Sequence, residues 1–417
     1  MKLGPLCLVI AAWPLSFGQV TPAPWRSQGK ALKARGDAAG ALAAFEQAAQ
    51  AEPGAADVRD EIGFLLAVQG RHDEAIARFR EAIAVDARYA PAHYHLGVAL
   101  WLKQDPNVAI PAMQEAAKLD PKNAEYRSRL ATMLSEVGHD DDALNEALAG
   151  VKLAPRAELW NLIGLIRQKK NALEEARDAF AKAVALKPAD HDYRNNLGFV
   201  LVDLGMAEQG LAHFRAVLRN EPANRRALVN VGYAHLQRGD YDAALEQFQK
   251  LAKQFPNEAV VRYDLGLALK QKDRLDEAKQ EFREALRLNP EMAEAYYTLG
   301  ITAWQNGDFD ETVEAMRNAV ARQPGYAAAY YMLGTALKQQ GELAEAVKAL
   351  EAAIKLDATS PGPFNTLAQI RQAQGNQEAA RELFAQAADA KRKLEAGQAK
   401  RLGATGPATR EIPLRQR

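Results

Sequence analysis

Apolar positions recur at i, i+3 and i+4 in blocks of about a dozen residues, broken by short polar turns, and the blocks come in pairs. That spacing predicts amphipathic helices. The stretch Ala259–Met292 shows the unit. Its first block carries Leu265, Gly266 and Leu269, its second carries Ala278, Phe282 and Ala285, and Pro290 follows. Neither block could bury its apolar face alone, so each needs its partner and the next pair, and the unit predicts a stack. One column fixes the period. Gly29, Gly63, Gly97, Ala131, Gly164, Gly198, Gly232, Gly266, Gly300, Gly334 and Ala368 follow at steps of 34 residues, except for 33 between Ala131 and Gly164. Eleven units therefore span roughly residues 22–394. A small residue at this place lets two helices approach closely.

A hydrophobe before glycine, then Ala-x3-Phe, then proline, in this period, resembles the tetratricopeptide repeat (TPR) family. The resemblance covers residues 25–394. It implies an all-α solenoid of about eleven helix-turn-helix repeats forming a right-handed superhelix. The first helices would line a concave groove that grips extended peptides. A solenoid is one quasi-linear body, so the chain length does not divide into separate cores.

The repeats are not uniform. Phe45, Phe79, Phe180, Phe214, Phe248 and Phe282 fill the large position of the second helix, with Met113, Met316 and Leu350 replacing it elsewhere. The fourth repeat has Ala131 for glycine, Ala147 for the aromatic and Gly150 for the second alanine, and the turn after Pro155 is one residue short. Less apolar volume, at about 0.8 kcal/mol per buried methylene, predicts a soft point and a local change of superhelical angle. His139, Asp140, Asp141 and Asp142 read as a polar turn and helix start, where aspartates suit the N-terminus, rather than as a metal site. The eleventh repeat keeps Leu367, Ala368, Ala380 and Phe384 without a closing proline. Its second helix is expected to run on through Lys391, Arg392 and Lys393 as a cap. Residues 395–417, with Gly403, Gly406, Pro407, Pro413 and scattered arginines, read as a flexible basic tail, either solubilising or attracted to an acidic partner.

Charge changes little in this picture. The 53 basic and 53 acidic residues balance, so nothing global favours nucleic acid or an anionic membrane. The first residues do add something. Lys2, an apolar centre from Leu6 to Leu15, and the small residues Ser16 and Gly18 predict a signal peptide over 1–18, cleaved after Gly18 and followed by a linker over 19–24. The stretch is too short to span a bilayer comfortably, so no stable membrane insertion is expected. Cys7, the only cysteine, follows Gly4-Pro5-Leu6 and lacks the small residues of a lipid-anchor site. The mature chain would hold no disulfide and no thiolate metal site.

No phosphate-cradling loop, Gly-x-Ser-x-Gly or His-Glu-x-x-His occurs, and His93 and His95 face different directions on their helix. The repeats leave no room for a catalytic domain, so neither enzyme activity nor a cofactor is expected. The candidate chemistry is binding chemistry on the first helices. Asn196, Asn230 and Asp264 share one repeat position. Asn161 and Asn195 sit one residue earlier, a position that Tyr263, Tyr297 and Tyr331 take in later repeats. Gln237, Gln271, Gln305 and Gln339 form a further ladder, and Trp101 and Trp304 share another position. A side-chain amide offers donor and acceptor together and can pair with any peptide bond, while tyrosine adds flat area and a hydroxyl. The ladder is similar to the asparagine ladder in the TPR arm of O-GlcNAc transferase. These residues could equally serve packing between repeats. The clamp by which TPR cochaperones grip chaperone tails is not assembled, since Arg226 and Asn230 are one fragment of it. The expectation is a non-catalytic scaffold that binds a protein or extended peptide, exported to a bacterial periplasm. A targeting subunit for a separate glycosyltransferase and an assembly subunit of a polysaccharide-export machinery are the alternatives.

Overall fold

The computed structural model describes residues 24–402, with side chains to residue 397. The expected signal, most of the linker, Cys7 and residues 403–417 of the tail lie outside the described residues. Among the described residues there are 22 α-helices and no strand. They run in consecutive antiparallel pairs, and the chain is an all-α TPR solenoid.

Contacts divide the chain into two compact units, Met1–Ile166 and Arg167–Arg417. The first unit contains the pairs α1 (Pro24–Ala34) with α2 (Ala38–Ala51), α3 (Ala56–Val68) with α4 (His72–Val85), α5 (Ala90–Leu102) with α6 (Pro106–Leu119), and α7 (Ala124–Glu136) with α8 (Asp140–Leu153). The division falls inside α9 (Ala157–Lys169), one helix beyond the weak fourth repeat. The second unit continues with α10 (Leu173–Leu186), α11 (His191–Asp203), α12 (Ala207–Asn220), α13 (Arg225–Arg238) and α14 (Tyr241–Gln254). Next come α15 (Ala259–Gln271), α16 (Leu275–Leu288), α17 (Ala293–Gln305) and α18 (Phe309–Arg322). The last four are α19 (Ala327–Gln340), α20 (Leu343–Leu356), α21 (Pro361–Ala373) and α22 (Gln377–Leu402). The short 33-residue step is located in one loop. Residues 154–156 join α8 to α9, where the other repeats use four residues, such as 86–89.

Within each pair the turn is made by one residue in the left-handed region. Gly36, Gly70, Gly138, Gly205, Gly239, Gly307, Gly341 and Gly375 have φ between 76° and 85°, and Gln104, Asn171 and Asp273 take φ of 57–58° at the same repeat position. A Cβ added at these glycines would meet nothing within 4 Å. Backbone handedness, not space, therefore selects glycine there.

The core is built from one repeated contact. A Cβ on Gly198, Gly232 or Gly266 would lie 2.5–2.6 Å from the ring of Phe214, Phe248 or Phe282 respectively, and these rings are fully buried. Gly300 and Gly334 stand in the same relation to Met316 and Leu350. The large side chain rests on the bare glycine. The two repeats with alanine in the glycine column depart from this. Ala131 faces Ala147, both fully buried. Ala368 is fully buried, and Phe384, expected in the core column, is instead 38% exposed.

The fourth repeat is also less empty than its second helix suggests. Met133 and Leu159, each 1% exposed, enter from the flanking first helices, and a Cβ at Gly150 would meet Leu159 Cδ1 at 2.7 Å. Asp140, Asp141 and Asp142 form the first turn of α8. Partly buried ion pairs join the helices of a repeat at recurring positions, Arg127 with Glu146 at 2.7 Å and Arg262 with Glu281 at 3.0 Å. In α22 the buried Ala387 and Ala390 pack against Phe364 of α21.

Candidate partner-binding face

Of the residues that sequence reasoning picked, one group is committed to the interior. Asn195, Asn230 and Asp264 have no exposed surface, and Asn196 and Tyr263 are about 5% exposed. A buried amide between packed helices is not presented to a peptide. Asn196 and Tyr263 link neighbouring repeats instead, while the side-chain amides of Asn195 and Asn230 are buried without a hydrogen-bond partner. Arg226 of α13 donates to Asn196 Oδ1 of α11 at 2.5 Å and reaches Asp192 at 3.5 Å. The Tyr263 hydroxyl shares a hydrogen bond of 3.1 Å with Thr298 of the next repeat. The Arg226 guanidinium is thus engaged with α11 at the surface, which occupies the fragment of a chaperone clamp. Asn161, on α9 in the first unit, is half-buried.

The second group is open. Gln271, Gln305 and Gln339 are exposed at the ends of α15, α17 and α19. Gln237, the first of the ladder, is half-buried and donates to the Tyr233 hydroxyl at 2.9 Å, which itself donates to Asp203 at 2.9 Å. Tyr297, Tyr331 and Trp304 are half-buried and border the core. Tyr297 lies 4.9 Å, centroid to centroid, from Tyr326, and Trp304 lies 4.9 Å from Phe309. Tyr331 lies close over Gly362, where a Cβ would come within 2.7 Å of its ring. Burial pushes the Tyr297 and Tyr326 hydroxyls above the usual phenol range, so both stay neutral. The open face over α15, α17 and α19 is therefore aromatic with amides along one edge.

Sequence reasoning missed two arrangements. Phe199 and Tyr233 stack at 5.2 Å and begin the Asp203–Tyr233–Gln237 chain. Both directly follow the column glycine, in consecutive repeats, and that was a readable signal. In the first unit, His95 Nδ1 meets the buried Asp60 carboxylate at 2.8 Å, and Tyr94 stacks on Tyr126 at 4.7 Å. Burial pushes the Tyr126 hydroxyl up to about 12. There too Trp101 is half-buried, and Val68 and Leu102 are more than 60% exposed at the position that the glutamines take in the second unit. Among the described residues no cluster of three or more His, Cys, Asp or Glu could hold a metal ion. No described helix is long and apolar enough to cross a membrane.

Paired helices, a glycine under the large core residue in most repeats and a left-handed turn in every described repeat define a helical-repeat scaffold for protein interaction. The chain belongs to the tetratricopeptide repeat family. The family described as "Tetratricopeptide repeat" matches residues 26–77, 263–311 and 297–361, and a further TPR family matches 63–104. The family "Cytochrome c-type biogenesis protein H TPR domain" matches 151–262. A human relative, "Tetratricopeptide repeat protein 13", is 23% identical over 163 residues, which cover 38% of this chain and 19% of that protein. The chain thus spans about a fifth of that relative's length. Among solved structures, yeast Tom70 is 13% identical, with 91% of this chain and 98% of Tom70 covered at a TM-score of 0.51, a likeness of fold alone. Pseudomonas aeruginosa pilF is 20% identical over 48% of this chain and 92% of its own, at 0.41.

Proposed function

We propose that the chain is an exported, non-catalytic adaptor that holds an extended segment of a partner protein along the face of α15, α17 and α19. The observation that carries this is the exposure of Gln271, Gln305 and Gln339 in three consecutive repeats beside half-buried Tyr297, Trp304 and Tyr331. Residues at one repeat position stand one helix pair apart, so an extended chain meets them in succession. The amides would pair with its backbone, about 0.5–1.5 kcal/mol each. The aromatic residues would supply most of the buried area and act as hot spots. Export to the periplasm is supported by the Lys2 to Gly18 pattern and by the match over 151–262 to a domain named for cytochrome c biogenesis.

The test begins with an affinity pull-down of the mature protein from its own envelope extract. The recovered partner is then measured against wild type, Gln271→Ala/Gln305→Ala/Gln339→Ala, Tyr297→Ala/Trp304→Ala and a chain ending at Ala396. Both face variants should lose binding while keeping the wild-type helical signal. If they bind like wild type and the truncation abolishes binding, the basic tail is the site. N-terminal sequencing of protein made in its own host tests export, and an intact Met1 in the cytosol would exclude it.

A further inference from the structure

The solenoid ends on a side of α22 that no described helix covers. In the repeat before it, Val347, Leu350 and Ile354 of α20 pack in one cluster with Leu367 and Ile370 of α21. The equivalent residues of α22, 34 places on, are Arg381, Phe384 and Ala388, and all three are exposed. Lys391 continues the same side one turn further, and Leu394 follows, 41% exposed. An aromatic ring and a methyl thus stand in water between two cations.

Lys279 supplies the comparison, because it holds the position of Arg381 three repeats earlier. There the following repeat buries it to 6% exposure and sets Glu311 at 3.2 Å and Asp308 at 3.6 Å from its ammonium. Arg381 has no following repeat, and among the described residues it meets no carboxylate. Beyond it the positive charge builds up. From Lys391 to Arg417 eight basic residues stand against two glutamates, a net +6 over 27 residues. The whole chain balances at 53 and 53, so the remainder carries −6. Cations favour a helix C-terminus only within its last turn, which accounts for Lys400 and Arg401 but not for Lys391, Arg392 and Lys393. Those three pair only with Glu395 and Asp389 of the same helix, in exposed contacts that hold them weakly. Successive residues point about 100° apart, so the three suit a layer of charge rather than one set of paired groups.

We propose that this end of the chain docks on an anionic lipid surface. Phe384 and Leu394 enter the headgroup layer, and Arg381, Lys391 and the basic residues after them face the lipid phosphates. The helix lies on the surface and does not cross it, since no described helix is long and apolar enough. The acidic remainder of the chain is repelled, which leaves the C-terminal end as the contact. A second copy stacked on the same side fits poorly. The first helix it would offer, α1, carries Arg26, Lys30 and Lys33 and no acidic residue. The inference uses residues apart from the partner-binding face and is tested independently of it.

The test sediments the full mature chain with vesicles of pure phosphatidylglycerol or pure phosphatidylcholine. Wild type should bind the first at low salt, ignore the second, and leave the vesicles as salt is raised. Lys391→Gln/Arg392→Gln/Lys393→Gln should weaken binding by about tenfold or more, the loss expected for three cations near an anionic surface. These side chains are exposed and glutamine is a good helix former, so the helical signal should be unchanged. Phe384→Ser should weaken binding about threefold or more, which a purely electrostatic contact would not show. Unchanged binding in either variant overturns the contact as drawn. Equal binding to both lipids, or no binding to phosphatidylglycerol, overturns the lipid surface itself. So does equal affinity for immobilised polyglutamate, which would make an acidic protein the partner.

Discussion

Gly266→Ala places a methyl about 2.6 Å from the ring of Phe282, which has no exposed surface and no room to move. Overpacking of this kind costs about 1–3 kcal/mol, and the contact distance argues for the upper end. Alanine returns about 1 kcal/mol as the better helix former, leaving a net loss of about 2 kcal/mol. Phe282→Ala alone should cost about 3–5 kcal/mol, the usual loss for a buried aromatic. The double variant differs from the sum of the two, because the ring that the methyl strikes is gone and the methyl enters the cavity. It should cost about 2–4 kcal/mol, so the pair is coupled by about 3 kcal/mol, at the upper end of the range for residues in contact. It also reproduces the Ala131–Ala147 pair of the fourth repeat. Urea unfolding gives the global values. Repeat arrays need not unfold in one step, so amide exchange in α15 and α16 should be read alongside. Additivity within about 0.5 kcal/mol would refute the contact as the reason for the glycine column.

The other expectations are simpler. Gln104→Gly should raise stability by about 0.5–1 kcal/mol in urea titrations, since Gln104 sits at positive φ, and Asn171→Gly and Asp273→Gly should gain less because asparagine and aspartate tolerate that region. Hydrogen exchange should find residues 124–156 opening first among the internal repeats, and uniform protection across repeats three to six would contradict it. Burial, helped by Arg194, lowers the His213 imidazole below its ordinary 6.5. As pH falls through 6.5 the unfolded chain takes up the proton first, so stability should decline until the folded value is passed and then level off. His213→Gln should flatten that part of a stability profile measured from pH 8 to 4. Partner affinity, resting on the uncharged contacts of the proposed face, should weaken only modestly between low and moderate salt.

The period, the helix pairs and the short fourth unit were legible because a repeat prints the same burial constraint many times. The Ala131 to Gly164 step even marked the loop in which the residue is missing. Phe384 was not legible. Its column said core, but it sits on α22, with no further described helix beyond it, and the ring is 38% exposed. The candidate ladders were legible as columns but not as faces. On a helix, adjacent positions point about 100° apart. The middle of α11 is covered on several sides, so even the adjacent Asn195 and Asn196 both fall inside the stack, while Gln271, near the end of its helix, stays in water.

The glycine and the large side chain that rests on it are encoded sixteen residues apart, in the two different helices of one repeat. Tandem copies of so similar a sequence are open to unequal exchange. A crossover in the loops between repeats moves the matched pair together and yields a solenoid one unit longer or shorter. A crossover inside those sixteen residues, between the fourth repeat and a neighbour, joins alanine to a bulky partner or glycine to Ala147. The first product is overfilled and the second hollow. Selection on folding alone would therefore confine viable breakpoints that involve the fourth repeat to the inter-repeat loops, while repeats that share the glycine and large pair can exchange inside the unit as well.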